Sequence, residues 1–491
     1  MHPFRNLFPW VAVSLLVWIP CSVKAQDATD RVGAPGATET TAHSIPVGET
    51  VSPRELDGSS VGLSETTSSS RILVDALEPA ALRALANEVL DRDPQIARAE
   101  RLAAAVAVRA PQVRALPDPV AALKVFVLPV ETRVGPQRVS LSIAQKLPWF
   151  GKLALRERIA LLEAVAAEEE VERLRLERIE KLRRLIYELG FLAAQQDIVD
   201  SERVTLVRYE RAAQALYAAG GGLQQGIVRI QAQITRTDTR LLELEERRAR
   251  LASEINALRD RPAQEPIPAI ALPAVGLPVP RLGELRQIAD ASRPVLAAAR
   301  ARISVAKARG ELAEKDFRPD LTLGLSFTSV ESREDAPGRA NPPPDNGDDI
   351  VALSGSFNLP IRRQKLEAGL EEAQSLRWAA EEAERSLLAE IESAIGDLET
   401  RIPLLVRHLN LLETVLVKQA QEALRSAETA YSTGKLNAVD LLDAEVVLFE
   451  VRIATERTRT DLAIAHAQLE RAVGQPIEAP SENSSESEPS S

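Results

Sequence analysis

Leu321-Thr322-Leu323-Gly324-Leu325-Ser326-Phe327-Thr328 changes character at every residue: Leu321, Leu323, Leu325 and Phe327 are apolar, and the residues between them are small or polar. A period of two puts the two kinds on opposite faces of a β-strand. The alternation returns in Val351, Leu353, Phe357 and Leu359 against Ala352, Ser354, Ser356 and Asn358. It occurs earlier in Leu123, Val125 and Val127 against Ala122 and Lys124, and in Val139, Leu141 and Ile143 against Arg138, Ser140 and Ser142. Four strands of about ten residues are predicted, a length that suits a strand tilted across a bilayer with its apolar face to lipid. A soluble hairpin pair packed on helices would carry the same alternation. Pro129 to Gln137 and Glu331 to Gly347 are predicted as the loops that close the two hairpins.

Two hairpins arise because the chain repeats itself. Asp93-Pro94-Gln95-Ile96-Ala97-Arg98-Ala99 returns as Arg293-Pro294-Val295-Leu296-Ala297-Ala298-Ala299, and Leu116-Pro117-Asp118 returns as Arg318-Pro319-Asp320. Leu147-Pro148 returns as Leu359-Pro360, and Tyr217-Ala218-Ala219-Gly220 as Tyr431-Ser432-Thr433-Gly434. The offset grows once, from 202 between Pro117 and Pro319 to 212 between Pro148 and Pro360, which places an insertion in the acidic, proline-rich loop 331–347. A unit this long is a duplicated half-structure, not a solenoid of short modules.

Each copy begins with a predicted helix, 79–114 or 282–316. After each hairpin comes a very long helical stretch, 152–217 or 364–431, which at 1.5 Å per residue would reach about 100 Å. Leu155, Ile159 and Leu162, then Leu182, Ile186, Leu189 and Ala193, follow the three-and-four spacing of a coiled-coil seam. Gly190 and Pro403 predict a kink or split at equivalent depth in the two stretches. Each stretch turns at glycine and returns as a second helix, 227–260 or 438–474.

Residues 1–25 have the layout of a secretory signal, with Arg5, an apolar run from Trp10 to Ile19 and an end at Val23-Lys24-Ala25. The only cysteine, Cys21, lies inside it, and Trp18-Ile19-Pro20 lacks the small residue that lipoprotein processing wants. Removing Arg5 and Lys24 moves the formal charge from −11 to −13, which argues against a generic nucleic-acid binder. No later stretch approaches the roughly 20 apolar residues of a membrane helix, so any crossing is by strands. The organisation read from the sequence is a signal peptide (1–25), a disordered linker (26–78), a first repeat (79–262) and a proline-rich connector (263–281). A second repeat (282–475) and a disordered, acidic, serine-rich tail (476–491) complete it.

Chemistry-bearing residues are sparse. Of the four histidines, His2 leaves with the signal, His43 sits in the linker, and His408 and His466 stand alone in helical patterns. Gly221 to Gly226 has the outline of a phosphate loop without the Lys and Ser/Thr that must follow. No nucleophile, base and orienter combine, so the expectation is a non-enzyme with no cofactor and no metal centre.

Signal, duplicated helix–hairpin–long helix–turn–helix units and inside-out strands together resemble the TolC-like outer-membrane efflux proteins, the outer membrane factors, over about residues 79–475. The most specific motifs are Gln145-Lys146-Leu147-Pro148-Trp149-Phe150-Gly151-Lys152 and the stretch from Tyr431 through Gly434, Asp440 and Asp443 to Glu445. The first looks most like the heavy-metal and cation efflux branch. The resemblance implies a membrane α+β fold: a homotrimer closing a twelve-stranded outer-membrane β-barrel, continued by a periplasmic α-helical barrel. It implies an exit duct of a tripartite system, with a periplasmic adaptor and an inner-membrane pump as partners. Gly220, Gly221, Gly434, Lys435 and Leu436 would be adaptor-contact tips, and Asp440 and Asp443 an acidic ring at the periplasmic entrance. Trp149 would belong to the aromatic belt at the membrane interface, or pack in the junction core. Gly226 stands where the first repeat would carry an acid, so the ring is predicted from the second repeat alone. A type I protein secretion channel and an exported structural coiled-coil protein are the alternative readings.

Overall fold

The computed structural model describes residues 68–270 and 280–477. The signal peptide, the linker through residue 67, residues 271–279 of the connector and the tail from residue 478 lie outside the described residues.

The chain enters through α1 (Ser69–Asp75), a helix where the sequence reading placed linker. Ser68 caps it by accepting from the Arg71 N–H, and Leu73, Val74 and Leu77 bury in one cluster with Leu176 and Ile179. Three apolar residues at the end of a Ser/Thr-rich segment are enough to dock it. The predicted helix 79–114 is three helices: α2 (Ala80–Arg92), α3 (Pro94–Ala107) and α4 (Arg109–Arg114). Asp93 makes the first break, since its side chain accepts from the Gln95 and Ile96 N–H groups and caps a helix that opens on Pro94.

Strands β1 (Val120–Thr132) and β2 (Gly135–Leu147) follow, then α5 (Lys152–Ala218) and α6 (Gln224–Leu258). The second copy runs α7 (Leu282–Ser292), α8 (Pro294–Lys315), β3 (Leu321–Val330), α9 (Ala336–Ala340) and β4 (Ile350–Phe357). It continues as α10 (Arg363–Leu411), a π-helical turn at Leu412–Leu416, α11 (Val417–Ser432) and α12 (Ala438–Val473). The first hairpin loop is much shorter than predicted. β1 runs through Pro129 to Thr132, and β2 resumes at Gly135, whose φ of 122° lets the backbone pass where a Cβ would sit 1.7 Å from the Glu331 carbonyl oxygen.

The strands form one antiparallel sheet in the order β1-β2-β3-β4. Leu123, Leu141, Phe327 and Val351 make one cross-strand row, and Ala121, Ile143, Leu325 and Leu353 the next row on the same face. Between them lies Ala122, Ser142, Ser326 and Ala352. On β3 the sides are inverted relative to a soluble sheet: Leu321, Leu323, Leu325 and Phe327 are exposed, while Thr322, Gly324, Ser326 and Thr328 are half-buried.

α5 is one helix of 67 residues, about 100 Å long, and it passes through Gly190 unbroken. Tyr187, Phe191 and Leu192 are buried around that glycine, and their packing outweighs its roughly 1 kcal/mol helix penalty. α10 likewise continues through Pro403, held by buried Ile391, Ile395, Leu398 and Ile402, and the irregularity appears further on at the π turn. The core is a series of clusters along the helices. One joins Leu182 and Ile186 of α5 to Ala463, Ile464 and Ala467 of α12, so the two repeats pack on each other. No helix among the described residues is long and apolar enough to cross a membrane.

Candidate channel wall, junction and helical tips

At the wall, Leu353 is 81% and Leu123 67% exposed, on a face that no described residue covers. A contiguous apolar sheet face of this size is not left to water. Both outer strands, β1 and β4, also leave one edge unpaired among the described residues.

At the junction, the motif Gln145–Lys152 folds around one acid from the other repeat. The Trp149 backbone N–H donates to Asp320 Oδ1 at 3.0 Å, and Lys152 Nζ reaches the same oxygen at 3.0 Å. Lys146 Nζ lies 3.5 Å from Asp320 Oδ2, and Lys152 also meets Asp316 at 3.2 Å. Lys152 is buried, and Gly151 turns the chain at φ 83°. Burial disfavours the charged form of Asp320, but the Trp149 N–H and the Lys152 and Lys146 ammoniums outweigh it and hold its pKa below the ordinary carboxylate value. Trp149 is partly exposed and meets the Phe150 ring edge-on at 5.8 Å, and Phe150 is 85% exposed.

At the tips the two repeats make the same turn. Gly434 N–H donates to the Tyr431 carbonyl at 3.0 Å and Lys435 N–H to the Ala430 carbonyl at 2.9 Å; Gly220 and Gly221 do the same to Tyr217 and Leu216, both at 3.0 Å. With φ of 71° at Gly434 and 79° at Gly220, each is a Schellman cap. Lys435 is exposed and Leu436 packs partly against the apolar tip cluster of Leu206, Tyr209, Ala438 and Leu441. Asp440 and Asp443 are both exposed on the first turns of α12. Asp440 has a local task as well: Asn437 caps α12 by accepting from the Val439 and Asp440 N–H groups, and its amide donates to Asp440 Oδ2 at 2.9 Å. Gly226 has a packing reason of its own, because a Cβ there would stand 3.0 Å from the Ala438 Cβ.

Sequence reading missed a buried acidic group just above the tips. Tyr209 donates to Glu428 at 2.6 Å and lies 3.5 Å from Glu445, which is buried beside Glu202. Burial, then the Glu202 and Glu428 charges, push the Glu445 carboxyl above the ordinary range, against Arg452 and the Tyr209 contact. Burial raises Glu202 too, against its Gln233 bond and Arg240. The available signal was Tyr209 and Glu445 at apolar-stripe positions of their helices.

Residues 285–475 match the family described as outer membrane efflux protein. That match spans the second repeat. The fold of the described residues is that of known outer-membrane channels. It superposes on the channel OprN with a TM-score of 0.69 at 19% identity, over 81% of this chain and 90% of that one. VceC of Vibrio cholerae gives 0.67 at 22% identity, over 81% and 97%. CusC, whose structures are described in terms of conformational changes accompanying folding and transmembrane channel formation, gives 0.69 at 14% identity, over 84% and 96%. No curated protein matches the chain in sequence. The TolC-like resemblance read from the sequence therefore holds, in fold over the described residues and in sequence over the second repeat.

Proposed function

We propose that three copies of this chain form the outer-membrane exit duct of a tripartite efflux system. The observation that carries this reading is the inverted sheet, apolar rows outward and small or polar rows inward, continuous with helices about 100 Å long. Four strands cannot close a pore, and lipid tolerates no open sheet edge, so a ring of copies is required. Three copies would give twelve strands, with the helices forming the periplasmic tunnel. The duct is passive: substrate arrives from an inner-membrane pump through a periplasmic adaptor that docks at Gly220, Gly221, Gly434, Lys435 and Leu436. Asp440 and Asp443 from three copies would surround the periplasmic entrance and favour cations, metal cations among the candidate cargo. Trp149, with Phe150 beside it, would mark the inner rim of the barrel, at the periplasmic interface of the outer membrane.

The test is direct. The full-length protein should fractionate with outer membranes, run as a trimer when unheated in detergent, and conduct ions in planar bilayers. A monomer in the soluble fraction, with no conductance after reconstitution, would end the reading.

A further inference from the structure

The junction latch occurs once among the described residues, yet the repeat supplies a second carboxylate and a second turn, with Lys146 and Lys152 returning as Asn358 and Gln364 and an arginine, Arg362, lying in the turn. In the filled latch, Asp320 at the start of β3 receives the turn that leaves β2. The repeat counterpart of Asp320 is Asp118 at the start of β1, and the counterpart of the turn 147–152 is 359–364, leaving β4. These two sit at opposite outer edges of the same sheet and do not meet. Asp118 and Arg362 are both exposed, and neither makes an ion pair among the described residues. The Ile361 N–H, counterpart of the Trp149 N–H that binds Asp320, instead closes a three-residue turn on the Leu359 carbonyl at 2.9 Å.

We infer that Asp118 of one copy seats in the β4-to-α10 turn of the next, accepting from the Ile361 N–H and the Arg362 guanidinium, and that this contact fixes the strand register between copies. The inference rests on the channel reading above. β1 and β3 run in one direction and β2 and β4 in the other, so β1 and β4 of neighbouring copies meet antiparallel, as β2 and β3 do. Carrying the β2–β3 register through the two repeat offsets sets Leu353 opposite Val125, Gly355 opposite Leu123 and Phe357 opposite Ala121. Every one of these pairs lies on the apolar face, and a slip of one residue would put Leu353 against Lys124. The same two offsets place the latch and the register, and the apolar alternation of β1 and β4 agrees with that register.

Cysteine pairs test the register, because the chain beyond residue 25 has no native thiol. Ala122 and Ser356 correspond to Gly324 and Ala144, where a Cβ on Gly324 would stand 3.9 Å from the Ala144 Cβ, within disulfide reach. Full-length A122C/S356C in outer membranes should oxidise to covalent dimers and trimers, and A122C/A352C, displaced along the strand, should not. Cross-linking by the displaced pair instead, or by neither pair while the unheated trimer persists, would overturn the register. For the latch, D118R and R362D should each lower the temperature at which the trimer dissociates in detergent, and the double swap should recover it. Additive losses in the double swap would overturn the latch while leaving the channel intact. Absence of any trimer from the unmutated chain would remove the channel reading itself, and this inference with it.

Discussion

Lys152 and Asp320 lie 168 residues apart in sequence and 3.0 Å apart in the fold. One opens the longest helix and the other opens a strand of the opposite repeat, so the contact ties the sheet to the helical body. It is the only point where a carboxylate from one repeat collects a backbone N–H and two ammoniums from the other among the described residues.

Replacing Asp320 with Asn should therefore loosen this joint. Lys152 stays buried and keeps the more exposed Asp316 and a long bond, 3.4 Å, to the Arg318 carbonyl, so the loss is on the order of 2 kcal/mol. The pH dependence follows from the depressed pKa. The stability Asp320 contributes is present above its unfolded pKa, about 3.9, and is lost as pH falls through the lower folded value. Thermal unfolding followed by helical circular dichroism should show wild type losing more stability than D320N between pH 5 and pH 2. Parallel curves would deny the latch its electrostatic part.

On the sheet, Leu325 and Ser326 are consecutive and face opposite ways. Leu325→Arg should cost roughly 2–4 kcal/mol in bilayer folding and Ser326→Arg much less. A membrane-impermeant thiol reagent should label S354C and spare L353C. Equal labelling of both would sink the barrel assignment.

The strands, the duplication and the turns were legible because period and offset are properties of sequence alone. Gly434 and Gly220 announced their caps for the same reason, since a positive φ selects glycine locally. Tertiary packing was not legible. Gly190 and Pro403 carry local signals for breaks, yet neighbours such as Phe191 and Ile402 hold the helices through them. The loop 129–137 carried a proline, yet β1 continues past Pro129, as a strand at the sheet edge can. Glu445 looked like one more helix-surface acid until α5 and α12 closed over it.

At the tip, Gly434→Ala should lower stability by about 1 kcal/mol, with nothing within 4 Å to clash with the new methyl. The loss is conformational, so Gly434→Asn should be milder. Gly434→Trp should abolish efflux while the trimer still inserts, because closure depends on the distant strands and helical seam. Normal export by G434W at normal expression would remove this turn from the adaptor contact.

Glu445 predicts a pH response opposite to that of Asp320. Its raised pKa means that the tip packing it joins is favoured below about pH 4.3, the unfolded value, and weakens as pH rises through the folded one. Glu202 and Glu428 face it with Tyr209, while Arg452 opposes the shift. Relative to the intrinsic exchange rate at each pH, the amides of Leu206 to Ala213 and Leu441 to Leu448 should be better protected at pH 5 than at pH 8. Glu445→Gln should shrink that difference, leaving a remainder from Glu202. An unchanged difference in E445Q would assign the response elsewhere.

Asp440 and Asp443 are the sharpest test because one of them has two tasks. Asp440 accepts from the Asn437 amide at the start of α12, so Asp440→Ala would remove a helix-end contact together with a charge. Asp440→Asn keeps an acceptor there and removes only the charge, and Asp443, exposed on the next turn, can be changed to Asn alongside it. Three copies would set six carboxylates around one narrow entrance, where their summed field attracts cations and holds multivalent ones longest. The D440N/D443N channel should therefore lose cation preference and be blocked less by multivalent cations in single-channel recordings, with trimer yield unchanged. Conductance, selectivity and block identical to wild type would instead place both acids on the solvated outer surface of the tunnel, with Asp440 serving only the helix end.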